Sequence, residues 1–348
     1  MSGGVDSGVS AALLIKQGYD CVGIHLKLFE KDSGWESAQK TAEFLKIPLK
    51  QVNFSKIFKK RVVEYFLKEY AAGLTPNPCV MCNKYIKFGE LFEYVRKLGF
   101  DYLATGHYAR IIDGHLLAAI DKKKDQSYFL YNLKKEQLAH ILFPVGELIK
   151  KEVRAMAKKM KLPVAEKPES QEICFLPEND YRPFLKRLIV KEIKPGAVVD
   201  TKGNIIGRHF GLPLYTIGQR HGFRLDLKKI LPPYYVIEKD AKNNRLIVGF
   251  GKETERKEFL VKNINWINPL IVNRLACRQA GELLIAKVRI RNLGELLSCK
   301  VADLPAGRQE LQNGKVKVIL NDPERGIAPG QAAVVYASEE VLGGGIII

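Results

Sequence analysis

The chain has 348 residues, enough for two or three domains with a real core. Its 46% hydrophobic and 27% charged residues make it globular rather than disordered. No apolar run approaches the ~20 residues of a membrane span, and no secretory signal opens the chain. A formal charge of +18 favours a polyanionic partner such as a nucleic acid, the bland alternative being a solvated lysine-rich surface. Six cysteines are too few for a disulfide scaffold of this length and point to a reducing compartment, the cytoplasm.

The first half alternates helix and strand signals. Ser7 to Gln17 carries helical spacing and stops at Gly18; Asp20 to Leu28 reads as a buried strand; Trp35 to Lys46 is helical and ends before Pro48. Leu49 to Phe54 reads as a strand, Ser55 to Ala72 as a long amphipathic helix, Lys84 to Leu98 as another helix, and Asp101 to Thr105 as a strand running into Gly106-His107. Strands separated by helices of this length predict a parallel, doubly wound α/β sheet. Gly and Pro become frequent over Pro195 to Tyr235, and residues 259–348 read as short strands: Leu284 to Ile290, Leu297 to Val301, Lys315 to Leu320 and Ala332 to Tyr336. The expected division is therefore a nucleotide-binding domain over 1–176, a central domain over 177–255 and a C-terminal β-barrel over 256–348. The stretch 304–314, LPAGRQELQNG, reads as a turn or loop between two strands.

The opening Ser2-Gly3-Gly4-Val5-Asp6-Ser7 precedes a helix. Adjacent glycines let backbone N–H groups approach an oxyanion, and the helix presents its positive end to the same point. Ser2 and Ser7 add hydroxyls. A carboxylate beside a phosphate repels it, so Asp6 makes sense if it holds a Mg2+ bridging the phosphates or orients the loop. A Walker A loop would need Gly-Lys-Ser/Thr after the turn. SGGxDS is instead the pyrophosphate loop of enzymes that split ATP between its α and β phosphates and adenylate a substrate. Such a loop normally follows the first strand of the sheet; here the chain starts at the loop itself, and the expectation is that the true start lies upstream of Met1.

Among the cysteines, Cys21, Cys277 and Cys299 sit in strand-like surroundings and read as inert thiols. Cys79 and Cys82 lie in Thr75-Pro76-Asn77-Pro78-Cys79-Val80-Met81-Cys82-Asn83-Lys84, where two prolines stiffen a loop before a helix. A helix N-terminus and Lys84 would both lower the Cys82 pKa. Cys174 lies in Ser170-Gln171-Glu172-Ile173-Cys174-Phe175. No second Cys-x-x-Cys or matching His pair completes a zinc site. A redox pair, or Cys79, Cys82 and Cys174 as ligands of an iron–sulfur cluster, both stay open.

Taken together, MSGGVDS at 1–7, TPNPCVMCNKYIKF at 75–88, ATGHYAR at 104–110, KDQSYFL at 124–130, FPVGELIKKEVR at 143–154, SQEICF at 170–175, YTIGQRHG at 215–222, PGQAAVVY at 329–336 and LGGGIII at 342–348 resemble the tRNA-specific 2-thiouridylases, a family of pyrophosphate-loop ATPases. The resemblance covers nearly the whole chain. It implies ATP at Met1, Ser2, Gly3, Gly4, Val5, Asp6 and Ser7, with Leu26 near the adenine and Gly106 against the nucleotide. It further implies adenylation of the C2 oxygen of the wobble uridine, U34, in tRNAs for Lys, Glu and Gln. Cys174 would carry a persulfide received from a cysteine desulfurase or a sulfur-relay protein. Its terminal sulfur would attack C2, or release sulfide that does, and Cys82 would complete the transfer by forming a disulfide with Cys174. Asn77, Pro78 and Cys79 would lie against the target base; His107, Lys124, Asp125, Gln126, Arg289, Ile290 and Gln331 would touch the tRNA. A single copy on one tRNA is the simplest assembly.

This chain departs from the family's pattern at Cys79, where the best-known motif has Asp, and at His25, beside which other members carry a Met. The competing readings are a cluster-dependent tRNA thiolase, a GMP synthetase-like or argininosuccinate synthetase-like ligase, and a passive RNA-binding module.

Overall fold

The computed structural model describes residues 1–30, 34–169, 173–176, 180–226, 232–268, 284–303 and 314–348. Cys277, the 304–313 part of the expected loop and Ser170 to Glu172 lie outside them.

The N-terminal part is parallel α/β, as the alternation predicts. Helix α1 (Val5–Lys16) leads to strand β1 (Gly23–Lys27), helix α2 (Trp35–Phe44) and strand β2 (Leu49–Asn53), and β1 pairs parallel with β2 from Gly23 opposite Leu49 to Lys27 opposite Asn53. A second parallel pair joins β3 (Leu103–Ala104) to β6 (Ile141–Leu142). The expected continuous sheet thus stands as two parallel pairs, and among the described residues no strand bridges them. The Met1 amino group donates to the Ile24 carbonyl of β1 instead.

Two long helices depart from the simple periodic reading. The 55–71 stretch is helical throughout but widens to π geometry over Lys59–Val63. The next helix begins at Pro78, six residues before Lys84, where the sequence placed its start. Pro78 sits at the first helical position, where a missing N–H costs nothing, and Asn77 caps the turn by accepting from the Val80 amide at 3.4 Å. This helix is π-wound over Cys82–Glu90 and α-helical over Leu91–Lys97.

A hairpin that the sequence reading missed follows β3. Strands β4 (Ala109–Ile112) and β5 (His115–Ala118) turn through Asp113-Gly114, both at positive φ. An Asp-Gly pair between apolar runs is the usual signal for such a turn.

The central part is a five-stranded sheet of β7 (Gly196–Val199), β8 (Ile205–His209), β9 (Arg224–Leu225), β10 (Tyr235–Asp240) and β11 (Arg245–Gly249), in the order β10-β11-β7-β8-β9. The C-terminal part closes six antiparallel strands into a barrel. These are β12 (Glu255–Trp266), β13 (Leu284–Arg289), β14 (Leu297–Asp303), β15 (Val316–Arg325), β16 (Ala332–Ala337) and β17 (Glu340–Ile347), in the order β12-β15-β14-β13-β16-β17, with β17 returning to β12. Closure gives each of the six barrel strands a partner on both sides, and Val288, Val301, Val318, Val335 and Cys299 fill the interior.

The main core crosses the domain boundary. Phe58, Val80, Cys82, Ile86, Tyr128 and Tyr131 from the N-terminal part pack in one cluster with Ala332, Val334, Tyr336 and Ile346 of the barrel. The barrel is therefore built onto the nucleotide domain, with the β4–β5 hairpin joined to β17 at Leu117 and Glu340.

Candidate active site

The phosphate loop has the geometry its glycines predict. Gly4 caps α1 in an extended conformation, and Gly3 has φ +74°; a Cβ on Gly3 would lie 2.2 Å from the Gly34 carbonyl oxygen. Ser7 Oγ donates to the Gly4 carbonyl at 3.0 Å and accepts from the Ser2 amide at 3.2 Å, so these hydroxyls hold the loop's shape. Val5 is buried in the first turn of α1, Leu26 lies half-buried on β1, and His25 Nδ1 lies 2.8 Å from the Met1 carbonyl oxygen.

Asp6 is held by two partners. The Tyr108 hydroxyl donates to its Oδ1 at 2.7 Å, and Lys150 Nζ donates to both carboxylate oxygens at 2.6 and 2.8 Å. Lys150 also lies 3.4 Å from Glu169, whose other oxygen accepts from Lys124 at 2.8 Å. Partial burial pushes the Glu169 carboxyl up, but the two lysines outweigh it and hold it below the usual carboxylate range. Burial, then the Asp6 charge, keeps the Tyr108 phenol protonated. Two ammonium groups beside a helix N-terminus suit a polyphosphate, and Asp6 is a hard oxygen donor of the kind Mg2+ takes. Lys150 and Glu169 are site residues that the local sequence does not mark. Lys150 stands inside the quoted FPVGELIKKEVR motif, but nothing local ties it to a loop 144 residues away.

The thiols form the second half of the site. Cys79 is half-buried, Cys82 buried and Cys174 exposed. Phe175, next to Cys174, packs edge-on against Phe58 and Phe66, which docks that loop on the core containing Cys82. Burial pushes the Cys82 thiol up to about 12 and Cys79 up to about 11; Cys174, whose residue reaches solvent, is also raised, by the loss of water on its protein-facing side, and Lys87 opposes all three shifts. The expectation of a lowered Cys82 pKa is therefore corrected. Cys82 lies a turn inside the helix that begins at Pro78, and Lys84 sits over the Tyr85 ring at 5.4 Å.

His107 is buried between Phe88 and Phe143, with Nε2 3.2 Å from Lys87 Nζ and Nδ1 2.7 Å from Thr105 Oγ1. Burial, then the Lys87 charge, lowers its pKa well below the usual value, so the ring is neutral. The loop after β3 thus touches both the phosphate loop and the helix that bears Cys82 in three consecutive residues. Gly106 lies so close to α1 that a Cβ would come within 2.9 Å of Asp6 and Ser7 backbone atoms; His107 meets Lys87; Tyr108 meets Asp6.

The loop before Cys79 is keyed by all three parts of the chain. The Thr75 amide donates to the Pro329 carbonyl at 2.8 Å, and Lys239 of β10 donates to the Tyr215 carbonyl at 2.8 Å beside Leu74. Gln331 lies half-buried in the turn behind Pro329. Asn77 and Pro78 are spent on the helix cap, and Lys124 on Glu169; Gln126 accepts from the Tyr108 amide at 3.0 Å.

Asp125, Arg289 and Ile290, expected on an RNA-facing surface, are buried in this structure. Asp125 accepts from Arg289 at 2.7 Å and from the Ala119 and Ser127 amides, while Arg289 lies over the Tyr336 ring. A buried, paired charge ties the nucleotide domain to the barrel. Among the described residues, no three His, Cys, Asp or Glu side chains are grouped to hold a metal ion, so Cys79, Cys82 and Cys174 are not assembled as a cluster site.

Comparison with known proteins matches the chain along its length. Residues 1–178 match the model of a tRNA methyl transferase HUP domain, 182–250 that of a tRNA methyl transferase PRC-barrel domain, and 256–347 that of an aminomethyltransferase beta-barrel domain. Proteins described as tRNA-specific 2-thiouridylase MnmA from Carboxydothermus hydrogenoformans and Acetivibrio thermocellus are each 42% identical over 100% of this chain, covering 96% and 97% of their own length. One from Clostridioides difficile is 40% identical over 100% of this chain and 96% of its own.

Proposed function

The chain belongs to the MnmA family of tRNA-specific 2-thiouridylases, and we propose that it is an ATP-dependent sulfurtransferase that thiolates C2 of the wobble uridine, U34, in tRNAs for Lys, Glu and Gln. The observation that carries this reading is the single loop at Gly106-His107-Tyr108, which touches the phosphate-binding turn through Gly106 and Tyr108 and, through His107, touches Lys87 on the helix that bears Cys82. Adenylation and sulfur transfer need that adjacency. A carbonyl oxygen is a poor leaving group until it is made into AMP, and the nucleophile must then be at hand.

In this reading ATP lies on Met1 to Ser7 with Leu26 and Gly106 against the nucleoside, and Lys150 and Lys124 face the pyrophosphate. Asp6 would hold a Mg2+ brought with ATP, which would neutralise charge on the leaving pyrophosphate. Asn77, Pro78 and Cys79 border the target base. The remaining tRNA contacts fall to His107, Lys124, Asp125, Gln126, Arg289, Ile290 and Gln331, of which the buried His107, Asp125, Arg289 and Ile290 would act through the shape they give the surface.

The sulfur step balances as follows. A cysteine desulfurase or relay protein loads Cys174 as a persulfide. Its terminal sulfur attacks C2 and expels AMP. The Cys82 thiolate then attacks the Cys174 sulfur, the bond between that sulfur and the transferred one breaks, and the transferred sulfur stays on C2. A Cys82–Cys174 disulfide is left for an external thiol to reduce. The protein would act as a monomer in the cytoplasm; no helix among the described residues is long and apolar enough to cross a membrane.

The test is sulfuration of unmodified tRNA with ATP, Mg2+ and a desulfurase, followed by mass analysis of position 34. The expected result is a thiouridine that Cys174→Ala abolishes. Undiminished thiolation by Cys174→Ala would overturn the reading.

A further inference from the structure

We infer that Lys87 is the electrostatic partner of the reacting sulfurs, placed on the Cys82 face of its helix by the π-wound segment so that its charge stabilises the anions at Cys82 and Cys174. The inference deepens the function proposed above and rests on it for its purpose, but its test does not.

The geometry begins with the winding of the helix. In an α-helix, residues five apart point about 140° away from each other. Where hydrogen bonds run from each residue to the fifth one on, residues five apart stack instead. Cys82 and Lys87 are five apart, and both lie inside the π segment Cys82–Glu90. Gly89 permits the wide turn: a Cβ there would lie 2.9 Å from the Lys84 carbonyl oxygen, five residues back.

The ammonium group is then fixed from the other side. Lys87 Nζ has only protons to give, so at 3.2 Å it donates to His107 Nε2. The ring proton must be on Nδ1, which donates to Thr105 Oγ1 at 2.7 Å. His107 is thereby a neutral brace, wedged between Phe88 and Phe143, and contributes no charge of its own. Among the described residues no carboxylate pairs with Lys87, so its charge is not already neutralised by an ion pair. That charge acts on Cys79, Cys82 and Cys174 together and opposes the desolvation that raises each thiol, most strongly felt at the buried Cys82. A site that breaks and makes S–S bonds passes its negative charge from one sulfur to the next, and one cation shared among the thiols serves every stage.

The experiment measures iodoacetamide alkylation of the full-length protein against pH, resolved at Cys174 and Cys82 by peptide mass analysis. Lys87→Met should shift both profiles to higher pH and slow alkylation at pH 8 by about three- to tenfold, tenfold being one pKa unit. Lys87→Arg keeps a charge and should restore most of the rate. Gly89→Ala keeps the lysine but favours an α-turn, which rotates Lys87 off Cys82, and should slow alkylation as well. Profiles for Lys87→Met that match the parent protein, with the fold intact by circular dichroism, overturn the inference. If Lys87→Met does not fold, an unchanged profile for Gly89→Ala overturns it equally. No tRNA, ATP or sulfur donor enters the assay. A shifted titration with no tRNA thiolation would therefore sink the functional reading alone, and normal thiolation with an unshifted titration would sink only the role of Lys87.

Discussion

At the scale of single residues, the site is organised by lysines that the motifs do not advertise. Lys150 neutralises Asp6 of the phosphate loop, Lys87 on the Cys82-bearing helix holds His107, and Lys239 donates to both the Tyr215 and the Leu74 carbonyls, linking the central domain to the loop before Cys79. Burial holds the Lys239 amine down to about 7. Its folded pKa is thus below the ordinary lysine value, so the unfolded chain binds more protons between pH 7 and about 10, and stability rises with pH across that window. The expected outcome is a parent protein that gains stability over Lys239→Met between pH 7 and 9.5, by on the order of a few kcal/mol at most given the partly open amine. Urea unfolding of both proteins at the two pH values checks this, and parallel midpoints would refute it. The cysteines were legible as a reactive set from their motifs, but the direction of their pKa shifts was not. Burial is a property of the packed core, and for Cys82 it outweighs the helix terminus and neighbouring lysine that the sequence offered.

At the scale of elements, the phosphate loop and α1 were readable from Ser2 to Ser7 because glycine φ angles, hydroxyl hydrogen bonds and the helix end are all local effects. Gly3→Ala tests how much depends on that shape. The added Cβ meets the Gly34 backbone, and the residue must hold a left-handed conformation, which together should displace the loop. Calorimetric titration with ATP is expected to show affinity at least about tenfold weaker, a loss of ~1.4 kcal/mol, while circular dichroism stays near that of the parent. The π segments at Lys59–Val63 and Cys82–Glu90 were not readable. Their sequences satisfy ordinary helical periodicity, and the extra residue per turn is set by what each helix packs against. The β4–β5 hairpin is local too: Asp113-Gly114 between two apolar runs carries its turn.

At the scale of the whole molecule, the nucleotide domain and the barrel share one core and a buried Asp125–Arg289 pair. Arg110 and Lys122 both reach Glu339, and Asn265 donates to the Tyr131 and Leu133 carbonyls. The central sheet has its own core of Val198, Leu214, Tyr215, Val236 and Val248. Differential scanning calorimetry should therefore show the nucleotide domain and barrel melting in one transition, with the central domain free to melt separately. A barrel transition well separated from that of the nucleotide domain would contradict the shared core.

What the sequence determined by itself was the chemistry on offer: a glycine turn before a helix, two loops bearing thiols, a basic chain and a C-terminal run of strands. Each depends on residues within about a turn or a strand of one another, where backbone sterics and side-chain periodicity dominate. The tertiary structure decided which distant groups meet. It set Lys150 on Asp6, His107 on Lys87, and Arg289 inside the core against Asp125. Those pairings come from packing separate elements into one low-dielectric interior, where a charge is tolerated only beside its partner, and no window of sequence contains both members.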